Sequence, residues 1–132
     1  MSDNSIILLS NDEGNTIKID LSVLETILGM AAQQVDGVVG MRGSLRSNLS
    51  TLLGREDHGK GVSLHVDDNN ILSGDVYVYL QYGVNVPQVA GKLQKQLIAQ
   101  LRQMTDLRLP EINVHVVGLL DEKANSAKEQ DK

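Results

Sequence analysis

The sequence predicts an α+β fold, a two-layer sandwich in which helices pack on one face of a small antiparallel or mixed sheet. Residues 21–35 and 86–104 carry apolar side chains at helical spacing, whereas residues 62–66, 76–81 and 112–116 alternate between apolar and polar side chains. The longer helical segment stands between the last two strands. A helical crossover of this kind requires those two strands to run parallel, with a right-handed connection strongly preferred.

The N-terminal region predicts a hairpin followed by a helix. Two short apolar stretches, SIILL and TIKI, are separated by NDEGN, whose residue types favour a turn, so a hairpin is expected over residues 5–19. Asp20 is the expected N-cap of the first helix. The apolar positions of that helix are Leu21, Leu24, Ile27, Leu28, Ala31 and Val35. Its opposite face carries Glu25 as its one charge, which favours contact of that face with a partner.

The middle of the chain is rich in glycine and leucine. Leu45, Leu49, Leu52 and Leu53 recur at helical spacing, which predicts a short second helix that begins at Ser44 and ends at Gly54. The glycines before it are interpreted as a tight turn between the two helices.

The stretch GREDHGKG, residues 54–61, resembles the nucleotide-binding P-loop GxxxxGK[ST] without its hydroxyl residue. Gly61 stands where Ser or Thr would bind magnesium, and Glu56 and Asp57 would repel the phosphates. The stretch also follows a predicted helix and precedes a predicted strand, which reverses the P-loop order. It is therefore interpreted as a helix-ending glycine and a solvated loop.

The second half of the chain predicts three strands with one shared polar face. VSLHV turns through DDNN into DVYVYLQY, and the alternation places His65, Tyr77 and Tyr79 opposite the apolar positions. In INVHVVGL the same alternation places His115 opposite Ile112, Val114 and Val116. One face of the sheet is therefore expected to gather both histidines and both tyrosines and to carry no charge.

The long helix has a complete N-terminal signal. Asn85 is its expected cap, Pro87 falls in the first turn and Gln88 occupies the capping-box position. Its apolar stripe consists of Val86, Val89, Ala90, Leu93, Leu97, Leu101 and Met104. The pattern predicts about 20 residues of helix.

Length and composition indicate one domain. The chain has 132 residues, of which 1–120 are predicted to form the domain; 121–132, DEKANSAKEQDK, are predicted to be a disordered charged tail. The absence of Cys excludes disulfides, thiolate metal ligands and cysteine nucleophiles. Neither a secretory signal nor a membrane span is expected, because the N-terminus lacks a basic segment and its apolar run is short. A cytoplasmic location fits these features.

The charge distribution separates one helix from the rest of the chain. A net charge of −5 argues against bulk binding to nucleic acid or anionic lipid. Residues 76–105 nevertheless contain no acid and carry Lys92, Lys95 and Arg102. Such outward cations usually serve solubility, but an acidic partner surface or an acyl-CoA phosphate could dock on them. They are therefore candidate interaction residues.

Four segments together resemble the alkaline shock protein family of Gram-positive envelope-stress proteins. They are GVVGMRG at 37–43, HGKGV at 58–62, DVYVYLQYGVNVPQVA at 75–90 and MTDLRLPEINVHVVGL at 104–119. The resemblance covers roughly residues 14–120. GMRG with HGKG is most similar to a subgroup linked to control of acetyl-CoA carboxylase and fatty-acid synthesis.

The resemblance implies a non-enzymatic, cytoplasmic regulatory or adaptor protein that works through protein–protein interaction in envelope stress or in control of fatty-acid synthesis. Implied partners are a separate membrane-anchor protein, acetyl-CoA carboxylase subunits and further copies of the chain. Association with the membrane would be through such a partner. The family offers no catalytic, cofactor-binding or metal-binding residues to transfer.

RNA binding is the alternative. GMRG fits the GxxG loop of KH domains through Gly40, Arg42 and Gly43, and the predicted order of strand, helix, GMRG, short helix, two strands and long helix agrees with that domain. The chain is acidic and Arg42 is the one charge in the loop, whereas contacts to a nucleic-acid backbone need positive charge.

Metal binding and catalysis find little support in the sequence. His65 and His115 occupy matching places in two strands, but a two-histidine site lacks the third protein ligand of a zinc centre. No nucleophile and base stand at a recognisable spacing. His65, Tyr77, Tyr79 and His115 are instead candidate interaction residues, because tyrosine suits partly hydrated interfaces and histidine charge near pH 6 can tune association.

Overall fold

The computed structural model describes residues 4–11, 13–43 and 61–121. The short helix predicted over 44–53, residues 54–60 of GREDHGKG and, apart from Asp121, the tail predicted over 121–132 lie outside the described residues.

Within these ranges the chain forms two helices and six strands. They are β1 (Ser5–Ser10), β2 (Thr16–Asp20), α1 (Leu21–Ala32), β3 (Val38–Met41), β4 (Val62–Val66), β5 (Leu72–Gln81), α2 (Val86–Thr105) and β6 (Glu111–Leu120). The predicted α+β class, the N-terminal hairpin and the 20-residue helix are confirmed.

The main sheet is mixed, and β5 is its central strand. One edge of β5 pairs antiparallel with β4 and then with β3, whereas its other edge pairs parallel with β6. The parallel pairing confirms the predicted crossover through the long helix. Strands β1 and β2 form a separate two-stranded antiparallel sheet.

The core lies between this sheet and the two helices, which also contact each other. It is aliphatic, and its fully enclosed side chains include Leu24, Leu28, Leu72, Val76, Val78, Leu80, Leu93, Leu97 and Leu101. The buried stripe of α2 follows the helical spacing of the sequence, and β5 buries alternate residues along its length.

The N-termini of the helices differ. The Asn85 side chain accepts a hydrogen bond from the backbone N–H of Gln88 at 3.0 Å, which confirms the predicted cap. Asp20 occupies the N-cap position of α1, but its side chain makes no capping hydrogen bond. Helix α1 also ends at Ala32, before Val35, which is buried in the loop that follows.

The interpretation of residues 38–41 as a turn between helices is wrong. Val38 to Met41 form strand β3, with Val38, Val39 and Met41 buried. The strand forms because β4 pairs only as far as Val76 on β5, which leaves the second half of that edge available to β3. Turns remain on both sides of β3, at Gly37 and Gly43, whose φ values of 98° and 89° favour glycine.

Candidate interaction surface

The sheet face opposite the helices gathers the four residues that the alternation predicted. Tyr77 on β5 lies opposite His115 on β6, and Tyr79 follows two residues later on the same face of β5. His65 on β4 lies opposite Ser73, which shares that face. The geometric part of the prediction is confirmed, because the apolar alternates of these strands point to the helices.

Tyr77 of β5 lies between a side chain of β6 and the side chain of Arg42, the residue that follows β3. Its ring and the imidazole of His115 are parallel, with centroids 4.4 Å apart and an angle of 12° between the planes. The Arg42 guanidinium carbon lies 3.8 Å from the centroid of the same ring. Since β3 and β6 flank β5 on opposite sides, the phenol is held between a cation and an imidazole.

Asp75 is the hydrogen-bond partner of His115. The Nε2 atom of His115 lies 2.9 Å from Oδ1 of Asp75, and the side-chain amide of Asn113 donates to the same oxygen at 3.3 Å. The pKa of Asp75 is lowered, and the hydrogen bond from His115 is the main cause. Desolvation raises this pKa. The hydrogen bond from Asn113 and the charges of His115 and His65 lower it further. The expectation that this face carries no charge is therefore wrong.

Neither Asp75 nor Arg42 was assigned to this face from the sequence. The carboxylate partner of His115 comes from the adjacent strand, so the residues of β6 alone do not indicate it. Arg42 was assigned to a possible RNA loop because β3 was not recognised. The available signal for Asp75 was its position two residues before Tyr77, on the same side of the strand.

The pairing of His115 with Asp75 predicts a specific change in titration. We expect His115→Phe, which keeps a ring beside Tyr77 but removes the donor, to raise the pKa of Asp75 toward its ordinary value. A lowered native pKa means that ionised Asp75 stabilises the fold above the unfolded pKa, and that this contribution is lost as pH falls through the native pKa. Carboxyl-carbon NMR titration of Asp75 measures the shift directly.

His65→Phe is the matched control for this titration. His65 acts on Asp75 through charge alone, as the last and smallest cause of the lowered pKa. Its removal should therefore raise the pKa of Asp75 less than removal of His115 does. An equal rise in the two variants, or no rise in His115→Phe, would contradict the assigned hydrogen bond.

The ring of Tyr79 lies over Gly118 of β6, because the absence of a side chain on Gly118 leaves room for the ring. A β-carbon on Gly118 would lie 2.9 Å from two carbons of the Tyr79 ring. The register between β5 and β6 shifts by one residue at this point, after Val78. Arg42, His65, Asp75, Tyr77, Tyr79 and His115 are called the sheet-face cluster below.

The three candidate cations lie on another surface. Lys92, Lys95 and Arg102 are exposed on α2, whose opposite side packs on the sheet. Within the part of the chain that the structure describes, none of the three makes an ion pair or a side-chain hydrogen bond. These residues are called the basic helix face. Their role and that of the sheet-face cluster remain predictions.

The structure changes the geometry assumed for RNA binding. Gly40 lies within β3 opposite Tyr79, and Met41 lies opposite Val78, so half of GMRG is paired backbone. Arg42 stacks on Tyr77, and Gly43 has a φ of 89°. GMRG therefore begins within a strand instead of directly joining two helices, and its first half is not a loop that can clamp a nucleotide backbone.

A shallow cleft of about 410 Å³ lies beside the outer edge of β4 and is lined by Asn4, Asp20, Leu21, Ser22, Glu25 and Leu64. The carboxylate of Glu25 accepts a hydrogen bond from the backbone N–H of Leu64 at 3.0 Å. Glu25, which the sequence placed on a partner-facing side of α1, thus satisfies a strand edge within the domain.

Among the described residues no cluster of three His, Cys, Asp or Glu side chains suits a metal ion.

Comparison with known families gives a match over residues 10–120. The matching family is that of alkaline shock protein 23, described as having a cell envelope-related function. The chain belongs to this alkaline shock protein family. The resemblance noted in the sequence is thereby confirmed, and an envelope-related stress-response role is the functional class that it supports.

Relatives of this alkaline shock family chain include an uncharacterized protein, YqhY, of Bacillus subtilis, which is 38% identical over 94% of the chain and 93% of its own length. An uncharacterized protein of Streptococcus pyogenes, Spy1535, is 36% identical over 81% of each chain. A stress response regulator gls24 homolog of the same species is 31% identical over 76% of the chain and 56% of its own length. No solved structure matches.

Within the described part of this alkaline shock family chain, neither helix combines the length and the apolar character needed to cross a membrane.

Proposed function

We propose that this alkaline shock family chain is a non-enzymatic regulatory or adaptor protein that acts in envelope stress or in control of fatty-acid synthesis by binding other proteins through its sheet-face cluster. The observation that carries the proposal is the stack of Arg42, Tyr77 and His115 on a sheet face that, among the described residues, neither α1 nor α2 covers.

The chemistry of the stack suits recognition of a protein. Tyrosine and arginine are enriched at the energetic centres of protein interfaces. Here the Tyr77 ring is already fixed by its two neighbours, so binding would cost little side-chain entropy. Asp75 and Asn113 add hydrogen-bonding groups around the ring.

The proposed partners are a membrane-anchor protein or acetyl-CoA carboxylase subunits, in the cytoplasm or at the membrane through the anchor. The envelope-related description of the family supports the first partner. The similarity of GMRG and HGKG to the fatty-acid subgroup supports the second.

Partner capture from a lysate of the native cells tests the proposal. Tagged parent protein should retain specific proteins after nuclease treatment. Tyr77→Ser with Tyr79→Ser should reduce their recovery roughly tenfold or more, since an aromatic anchor at an interface contributes about 2 kcal/mol or more. Quantitative mass spectrometry of the captured proteins is the measurement, and circular dichroism confirms that the variant is folded.

Tyr82→Ser is the matched control for capture. Tyr82 is 68% exposed and lies just after β5, outside the sheet-face cluster. Its replacement should leave recovery unchanged. Equal recovery by the double variant and the parent would refute the sheet face as the binding surface, and recovery that disappears with nuclease would favour the RNA alternative.

A further inference from the structure

The two outer edges of the main sheet differ in how they are covered. On β4 the outward backbone N–H of Leu64 donates to the carboxylate of Glu25, and α1 packs beside the strand. Such a covered edge is protected from pairing with another chain. Strand β6 forms the opposite edge, and among the described residues it pairs with β5 alone.

The hydrogen bonds of β5 show which of its residues face β6. The N–H of Tyr77 donates to the carbonyl oxygen of Gly61, and the carbonyl oxygen of Tyr77 accepts from the N–H of Arg42. Tyr77 therefore directs its backbone groups to the side of β3 and β4. Because successive residues of a strand point their backbone groups to opposite sides, Val76 and Val78 direct theirs to β6.

The register then identifies the outward groups of β6. Val114 and Val116 are the aligned partners of Val76 and Val78. In a parallel pair, a residue that faces the neighbouring strand bonds to the residues before and after its aligned partner. The N–H and C=O groups of Val114 and Val116 therefore point away from β5, along the outer edge of the sheet.

Within the described structure this outer edge is protected at its beginning. The side-chain amide of Gln94 on α2 donates to the carbonyl oxygen of Ile112 at 2.9 Å. No described residue bonds to the outward N–H or C=O of Val114 or Val116. Each of these two residues thus offers one donor and one acceptor at the spacing of a strand.

The side chains along β6 indicate what the edge can accept. Residues 112–120 contain no Asp, Glu, Lys or Arg, and Val117 and Leu119 are 40% and 44% exposed. Acids stand at the two ends of the strand, where Glu111 and Asp121 are both exposed. A long apolar edge without a charge in its interior is a template for pairing with another strand.

We propose that the outer edge of β6 binds an extended segment of another protein, which adds to the sheet as a further strand. The occupant is a strand because only an extended backbone matches a row of backbone donors and acceptors at this spacing. Its interior is apolar and β-branched, to match 112–120, and its ends carry Lys or Arg opposite Glu111 and Asp121. This edge is a surface separate from the sheet-face cluster.

A synthetic peptide tests the proposal directly. The probe has the ten residues of β6 in length, with Thr and Val alternating between two terminal lysines. Fluorescence anisotropy of the labelled peptide should show saturable binding to the parent protein. Replacement of both terminal lysines by Glu should weaken binding about tenfold or more, because the acidic ends of β6 then repel the peptide. Absence of binding by the lysine peptide overturns the proposal.

Backbone methylation of the peptide tests the pairing without altering the protein. N-methyl groups on one alternate set of peptide residues remove the N–H groups that face β6 and should weaken binding about tenfold or more. Methylation of the other alternate set removes groups that face away and should weaken it less. Equal effects of the two sets would mean that the peptide does not bind as a strand.

Hydrogen exchange locates the bound peptide. The amides of Val114 and Val116 should exchange rapidly in the protein alone and slowly with the peptide, whereas those of Val76 and Val78 should exchange slowly in both states. Protection of Val114 and Val116 in the monomeric protein alone would show that the chain covers its own edge. That result, or protection by the peptide at another strand only, overturns the proposal.

Val116→Pro is the corresponding change in the protein. Proline is tolerated on an edge strand where the missing N–H points outward, so this variant should fold and bind the peptide about tenfold or more weakly. Glu25→Gln weakens the cover of the opposite edge and should leave binding unchanged. A Glu25→Gln variant that binds more peptide, or a folded Val116→Pro variant that binds as the parent does, would contradict the assignment to β6. If Val116→Pro does not fold, the methylated peptides decide.

Tyr77→Ser with Tyr79→Ser separates this inference from the proposed function. The double variant should bind the peptide as the parent does, because the pairing groups belong to the backbone of β6. Loss of peptide binding in this variant would mean that the sheet face holds the peptide and that the edge does not. Peptide binding that persists while partner capture is unaffected by the double variant supports this inference and refutes the sheet face as the capture surface.

Discussion

Leu97→Ala is expected to lower the free energy of unfolding by about 2–5 kcal/mol. Leu97 is fully buried at the middle of the α2 stripe, between Leu93 and Leu101. Its truncation would leave a cavity between the helix and the sheet. The buried neighbours on β5 are closely packed and have little freedom to fill that cavity. Urea denaturation followed by far-UV circular dichroism measures the loss.

Met104→Ala is the matched control on the same helix. Met104 is 56% exposed, so its truncation removes little buried surface and should cost less than about 1 kcal/mol. The sequence assigned Met104 to the apolar stripe, but the helix ends at Thr105 and leaves its last turn uncovered. Equal losses in the two variants would contradict the packing of α2 on the sheet.

The elements that the sequence predicted correctly are those with a long local period. Along α2 every buried residue repeats at helical spacing, and along β4 and β5 alternate residues are enclosed. Such a pattern also fixes which side of a strand each residue occupies, so the shared face of His65, Tyr77 and His115 could be predicted from spacing. The capping role of Asn85 could be predicted for the same reason, because the hydrogen bond of an N-cap lies within one helical turn.

The features that were missed depend on which strands are neighbours. Strand β3 has four residues including a glycine, too few for a period, and it exists because β5 has an unpaired half-edge. The proximity of Arg42, Tyr77 and His115 arises from β3, β5 and β6, whose order no local pattern specifies. Glu25 looked like a surface residue because its acceptor role depends on the distant edge of β4.

Gly61→Ala is expected to destabilise the domain by about 2–4 kcal/mol, through backbone strain and a steric conflict together. Gly61 is the last residue of GREDHGKG, and its φ of 87° lies in the region that favours glycine. An added β-carbon would lie 3.0 Å from the Tyr77 carbonyl oxygen and 3.2 Å from the backbone N and O of Arg42. The glycine at the hydroxyl position of the near P-loop is thus explained by close backbone approach.

Gly14→Ala separates the two causes. Gly14 has the same φ of 87°, but an added β-carbon there meets nothing within 4 Å, so this variant should show backbone strain alone, about 1 kcal/mol. The excess loss in Gly61→Ala then measures the conflict with Arg42 and Tyr77. Because Gly61 O accepts the Tyr77 N–H at 2.7 Å and Arg42 N donates to Tyr77 O at 3.0 Å, any shift at Gly61 moves the backbone that holds the stack. The ring-proton NMR shifts of His115 should therefore change in Gly61→Ala and stay constant in Gly14→Ala; equal destabilisation with unchanged His115 shifts would mean that Gly61 does not support the sheet-face cluster.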